Sequence, residues 1–135
     1  MSRPDDSLPR SPAEAAPRTI LLVEDERPLR ELLQRTLVRE GYTVLLAADG
    51  AQGVGIAGEP GQRIHLLVTD VAMPVMSGHE LAERFRLLHP DVPILFISGF
   101  PGRAGGGALR PGESFLAKPF ALAAFLRKVR DLLGT

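Results

Sequence analysis

Residues 66–80 read LLVTDVAMPVMSGHE. Four apolar or β-branched residues, Leu66 to Thr69, run into a lone aspartate, Asp70, and the pattern then breaks at Met73, Pro74, Ser77 and Gly78. The run has the length and composition of a strand buried on both faces. A strand of that kind that stops on a carboxylate needs a reason, because a buried charge is costly unless something pairs with it.

The whole chain limits what that reason is. At 135 residues it has the size of one ordinary domain, large enough to bury a single core without staples. A hydrophobic content of 44%, a charged content of 24% and a mean hydropathy of +0.06 place it with globular proteins. Sixteen Lys and Arg balance sixteen Asp and Glu, so no net basic field exists to hold nucleic acid or an anionic membrane. There is no cysteine, which excludes disulfides, thiol catalysis and cysteine metal sites. No signal-peptide core or run of membrane-spanning length occurs, and a cytoplasmic protein is expected.

Prolines at 4, 9, 12 and 17 among mixed charges mark residues 1–18 as a linker or tail that buries too little surface to offset its ordering entropy. From Thr19 the period changes repeatedly. Thr19 to Val23 reads as a strand, and Leu29, Leu32, Leu33 and Leu37 recur at helical spacing between Pro28 and Gly41. Strands at 42–47, 64–70, 93–98 and 114–118 follow. Between them lie a helix at about 49–58, weakened by Gly53 and Gly55, and one carrying Leu81, Phe85 and Leu88 that ends near His89 and Pro90. A last helix from about residue 121 places Leu122, Phe125, Leu126, Val129 and Leu132 at offsets of three and four. Five strands separated by helical segments imply right-handed βαβ units and a doubly wound, five-stranded parallel α/β sheet.

Such sheets bind ligands outside the carboxyl ends of their strands, where strand order reverses. Those ends present Glu24 and Asp25, then Asp70, then Ser98, then Lys118 followed by Pro119. Each has a local reading: Asp25 as a helix cap, Asp70 as a turn cap, Ser98 as a strand end, Lys118 as a solvated cation. Their coincidence at corresponding ends favours a common site. Like carboxylates about 4 Å apart repel by roughly 4 kcal/mol at an effective dielectric of 20, and a hard divalent cation removes that cost. Oxygen ligands with room for water and phosphate suit Mg²⁺ better than Zn²⁺. His65, read inside the third strand, His79 and His89 are not arranged to compete. A carboxylate beside Mg²⁺ and a lysine can attack a phosphoryl group, which makes Asp70 a nucleophile candidate.

From about Thr19 to Leu133 these residues resemble the receiver domain of two-component response regulators. The resemblance rests on VEDE after the first strand, TDVAMPVMSG around Asp70, FISG at the end of the fourth strand and FLAKPF after the fifth. It implies a flavodoxin-like (βα)5 fold in which Asp70 accepts a phosphoryl group from a kinase phosphohistidine. Glu24 and Asp25 then position Mg²⁺ with the Ala72 carbonyl, Lys118 pairs with phosphate oxygens, Ser98 reports the phosphate and Phe115 takes the aromatic switch position. It also implies a cis Lys118–Pro119 bond, a sensor histidine kinase or histidine phosphotransfer protein as partner, and a phosphoacceptor that is not an enzyme, although it assists its own phosphorylation and dephosphorylation.

Segment 99–113, GFPGRAGGGALRPGE, stands where the family's fourth helix lies, and Gly105, Gly106 and Gly107 predict a weakened helix there. That departure puts dimerisation through this helix in doubt, so a monomer or weak dimer is expected, without nucleic-acid or membrane contact. The wording DVAMPVMSG, ISGF, LRPGESFLAKPF and LRKVRDLL resembles receivers at the carboxyl end of hybrid sensor histidine kinases. The Pro-rich leader and the lack of effector sequence after Leu133 agree with that reading, while Met1 also permits a free-standing regulator. A haloacid-dehalogenase-type phosphatase wants a second Asp where this chain has Ala72, and a nucleotide binder wants a phosphate loop where EDERP would repel phosphate. The stronger rival is a degenerate receiver that acts as a phosphorylation-independent binding module.

Overall fold

The computed structural model describes residues 17–99 and 109–134. Most of the linker at 1–18 and most of the weakened helix at 99–113 lie outside the described residues. The elements in chain order are β1 (Thr19–Val23), α1 (Arg27–Arg39), β2 (Thr43–Ala47), α2 (Gly50–Ala57), β3 (Leu66–Asp70), α3 (Gly78–Leu88), β4 (Ile94–Ser98), β5 (Glu113–Ala117) and α4 (Leu122–Leu133). All five strands pair in parallel in the order β2-β1-β3-β4-β5. The chain therefore winds outward from β1 to β2, returns to the other side of β1 for β3, and continues to β5. The strand order reverses between β1 and β3.

The apolar runs of the sequence are two-faced because the sheet is covered on both sides. Ile20 and Leu22 of β1 join Val68, Leu95, Leu33, Leu37, Phe125 and Val129 in one core, under α1 and α4. Leu21 and Val23, pointing the other way, join Leu67, Phe96, Leu81, Ala82 and Phe85 in the second, under α2 and α3. The three central strands are almost wholly buried, and β2 and β5 at the edges less so.

Helix starts and stops follow local chemistry. Pro28 sits in the first turn of α1, and Gly41 follows its C-cap at φ +97°, a conformation that costs glycine nothing. Ser77 caps α3 through a capping box with Glu80: the Ser77 hydroxyl accepts from Glu80 N–H, and the Glu80 carboxylate accepts from Ser77 N–H.

Several expectations shift. Leu32, Leu88 and Leu122, placed on buried stripes by spacing, are exposed. Ala82 and Leu133 fill buried positions on α3 and α4, beside Leu81 and Phe85 on the one and Phe125 and Val129 on the other. Leu132 is only partly buried. His65 lies one residue ahead of β3, where its Nδ1 accepts the Thr19 N–H. Gly53, read as a weakness of α2, is buried, and a Cβ there would stand 3.1 Å from Val23 and 3.3 Å from Leu81. Its bareness lets α2 seat closely on β1 and α3.

Val75, in the loop between β3 and α3, is fully exposed and has φ +70°. A β-branched residue in the left-handed region is strained by roughly 1–2 kcal/mol and has no packing here to offset it. Asn tolerates that conformation. Val75→Asn is expected to raise stability by about 1 kcal/mol, read as a higher urea midpoint with an unchanged slope.

Candidate functional site

β1 and β3 are neighbours that end together, with Val23 in register with Thr69, so the residues just beyond them share one edge at the point of reversal. Glu24 and Asp25 follow β1, and Asp70 is the last residue of β3. One carboxylate oxygen from each of the three lies within 4.8 Å of the others. Glu24 and Asp70 are buried at 1% and 4% exposure, while Asp25 is more open. No histidine joins this group.

The fourth component comes from just beyond β5. Lys118 Nζ donates to Asp70 Oδ2 at 2.7 Å and stands 3.8 Å from Glu24 Oε1 and 3.6 Å from Glu26 Oε1. Its backbone N–H donates to the Ser98 carbonyl, and the following bond to Pro119 is cis. Ser98 ends β4 and is buried. Phe115 on β5 is in register with Phe96 on β4 and packs on the α2/α3 core. Ala72 N–H donates to Asp70 Oδ1 at 3.0 Å, so both oxygens of Asp70 are engaged. The structure thus gathers Glu24, Asp25, Asp70, Ala72 and Lys118 at one edge and sets Ser98 at the end of the adjoining strand. Phe100, which by sequence follows Ser98 and Gly99 and would flank the site, lies outside the described residues.

The local readings fare unequally. Asp25 is not the cap of α1, since Glu26 occupies that position and makes no side-chain cap bond. Lys118 is not a solvated cation, with only 22% of its side chain exposed. Asp70 does bond to the N–H two residues on, as a turn-forming Asp would, and it still reaches Lys118 with its other oxygen.

The electrostatics leave a gap of definite chemistry. Burial pushes the Glu24 carboxyl up to about 8; the Asp70 charge adds to this, while the Glu26 N–H and the Lys118 ammonium oppose it. Burial alone would lower the Lys118 pKa, but its hydrogen bond to Asp70 and the charges of Glu24, Asp70 and Glu26 raise it overall. Oε1 of Glu24 is buried and accepts no hydrogen bond. An all-oxygen group with an orphaned buried acceptor and more negative than positive charge fits a hard divalent cation.

Comparison with known proteins covers the stretch of chain that carries this geometry. A model of the response regulator receiver domain matches residues 20–130. The chain belongs to the response regulator receiver family. Receivers of response regulators and hybrid kinases are phosphoacceptors of two-component signalling, and they interact with kinases or phosphotransfer proteins. The chain is 39% identical over 118 residues to the sensor kinase CckA of Brucella abortus, covering 85% of this chain and 12% of that one. It spans about half of the mycobacterial response regulators that it also matches. Among solved structures, the receiver domain of the hybrid histidine kinase CckA is similar at a TM-score of 0.75 and 36% identity, over 85% of this chain and 98% of that one. The receiver of a Pseudomonas aeruginosa sensor histidine kinase, solved with a magnesium ion coordinated in its active-site cleft, gives 0.77 and 31%, over 89% and all of that chain.

Sequence reasoning missed three supports of this receiver site. Arg30 Nη1 donates to the Glu24 carbonyl at 2.8 Å, tying the acidic turn to α1. Glu26 faces Lys118. Gly78, read only as part of the turn into α3, has no room for a side chain, because a Cβ would stand 2.2 Å from the Asp70 carbonyl oxygen. The capping pattern SGHE at 77–80 carried part of that signal, since it fixes Gly78 as the first residue of α3 directly against the end of β3. Gly78→Ala is expected to displace the Asp70 backbone and cost at least about 2–3 kcal/mol, read by urea unfolding.

Glu24 also sets a pH dependence. Its folded pKa lies above the ordinary 4.5, so the stability linked to its protonated form is full below pH 4.5 and is lost as pH rises through about 8. Metal-free protein is expected to lose stability across that window, and Glu24→Gln to flatten the loss. A divalent cation should stabilise the wild type increasingly toward pH 8, as measured by urea midpoints with and without chelator.

Proposed function

We propose that Asp70 receives a phosphoryl group from the phosphohistidine of a sensor histidine kinase or histidine phosphotransfer protein. The observation that carries this reading is the Lys118 ammonium 2.7 Å from Asp70 Oδ2, beside two further carboxylates at the point where strand order reverses. A carboxylate oxygen of Asp70 forms a bond to phosphorus while the phosphorus–nitrogen bond breaks, and the imidazole leaves with the bonding pair and takes up a proton.

Lys118 passes from Asp70 to the phosphoryl oxygens, and the buried Ser98 hydroxyl turns toward them. Glu24, Asp25 and Asp70, with the Ala72 carbonyl, are the residues that would hold Mg²⁺, which supplies positive charge toward the phosphoryl oxygens. The domain is its own phosphoacceptor, assists both gain and hydrolysis of the phosphate, and is not an enzyme with a separate substrate. The similarity to magnesium-containing receivers supports this assignment.

Phosphorylation replaces one negative charge by nearly two, and movement of Ser98 toward them opens space for Phe115. Because Phe115 lies opposite Phe96 at the edge of the α2/α3 core, the change is felt on the β4–β5 side of the sheet. The balanced charge of the chain offers no field for nucleic acid or an anionic membrane, and no helix among the described residues is long and apolar enough to cross a membrane. A cytoplasmic setting and a monomer or weak dimer belong to this proposal. The likeness to the CckA kinase supports a receiver carried by a hybrid sensor kinase.

Incubation with acetyl phosphate and Mg²⁺ is expected to add one phosphate to the wild type, read by intact mass, and none to Asp70→Asn. Loss of the signal on chelating the metal belongs to the same expectation. No gain by the wild type from acetyl phosphate, phosphoramidate or a panel of phosphorylated kinases would overturn phosphotransfer.

A further inference from the structure

Three carboxylates face the Lys118 ammonium, and they are not equivalent. Asp70 Oδ2 stands at 2.7 Å, Glu26 Oε1 at 3.6 Å and Glu24 Oε1 at 3.8 Å. The side chains of Asp70 and Glu24 are 5% and 1% exposed and belong to the carboxylate cluster; that of Glu26 is 66% exposed and lies outside it. Glu26 occupies the N-cap position of α1, yet its side chain makes no capping bond. Its backbone is committed instead, with the N–H donating to Glu24 Oε2 and the carbonyl accepting from Arg30 N–H. The main chain is thus pinned to the acidic turn, and the carboxylate is left to reach across to Lys118.

We propose that Glu26 is a positioning residue that draws the Lys118 ammonium toward the mouth of the site and thereby weakens its pairing with a phosphoryl group on Asp70. The proposal rests on the phosphoacceptor reading given above. A divalent cation among Glu24, Asp25 and Asp70 offsets the charges of those three, and phosphorylation converts the Asp70 carboxylate into an ester. Glu26 is then the one of the three lysine partners that keeps an uncompensated carboxylate. The ammonium is divided between Glu26 and the phosphoryl oxygens, and the exposure of Glu26 lets it follow the lysine as it moves. The Glu26 carboxylate belongs to neither the acceptor nor the metal cluster and acts through Lys118, while the backbone N–H that bonds Glu24 Oε2 is kept when the side chain is replaced.

The test uses the full chain with Mg²⁺ and beryllofluoride, a phosphoryl mimic, and compares Glu26→Gln with Glu26→Asp and with Asp49→Asn. Asp49 lines the cleft beside Asp25 and caps α2, a role that Asn keeps, so its replacement removes a nearby negative charge without touching Lys118. Glu26→Gln is expected to bind beryllofluoride about two- to fivefold more tightly, the range of an exposed ion pair. Its Mg²⁺ affinity should change no more than that of Asp49→Asn, and Glu26→Asp, which keeps the charge, should remain near the wild type. An equal gain in Asp49→Asn would assign the effect to the general field and overturn the proposal. So would unchanged or weaker beryllofluoride binding by Glu26→Gln, or a loss of Mg²⁺ affinity peculiar to it. Failure of the wild type to bind either Mg²⁺ or beryllofluoride would overturn the phosphoacceptor reading itself, and this proposal with it.

Discussion

The receiver is organised around the repulsion of Glu24, Asp25 and Asp70 at the ends of two adjacent buried strands. Carboxylates this close cost several kcal/mol if left to themselves. The fold confines them all the same, because β1 and β3 lie side by side at the centre of the sheet and end in register. One partly buried ammonium, Lys118, offsets part of the charge, and the orphaned Oε1 of Glu24 marks the part that remains. That remainder is of the kind a hard divalent cation offsets. Without the cation an incoming phosphoryl group would meet three carboxylates and one lysine.

Holding that arrangement requires backbone precision more than side-chain chemistry. Gly78 lets α3 begin directly against the Asp70 carbonyl, and Ser77 and Glu80 fix the helix start by their reciprocal caps. On the other flank Met76 covers Gly50 so closely that a Cβ there would stand 2.7 Å from its sulfur, which locks the β3–α3 loop to the start of α2. Arg30 ties the acidic turn to α1 through the Glu24 carbonyl. Each of these is a contact to main chain or a denied side chain, and each limits how far a charged group can drift. At such sites a displacement of about an ångström costs orders of magnitude in rate.

Legibility in the sequence follows the same division. The alternation of short apolar runs with helical spacing makes the parallel sheet readable, because strands covered on both faces carry no charged residue until they end. Asp70 stands out for that reason. The polar strand ends at Glu24, Asp25, Ser98 and Lys118 are readable as a set, since their convergence follows from parallel topology alone. Leu32, Leu88 and Leu122 are misplaced by spacing because a periodic stripe of three or four leucines fixes a helix face only to within a position. Gly53 and Gly78 are opaque for another reason: a missing side chain looks like weakness in a string of letters, and its value appears only when the neighbouring backbone is in place. Glu26 belongs to a third class, an acidic residue in a run of three whose distinct role depends on which way α1 departs from the turn.

Coupling within the site limits what phosphorylation can achieve. Driving a two-state domain from 1:99 to 99:1 takes about 5.5 kcal/mol of differential stabilisation, more than one charge-assisted bond supplies. Lys118 cannot supply it all, because it already holds Asp70 before the reaction, and only the excess of its new pairing over its old counts. The balance has to come from other groups at this edge of the sheet, where Ser98 ends the adjoining, fully buried strand β4. Ser98 and Lys118 are joined through the Ser98 carbonyl and the Lys118 N–H, so a displacement of either bears on the other through a shared backbone link. That link ties the end of β4 to the end of β5, the strand whose Phe115 meets the edge of the core.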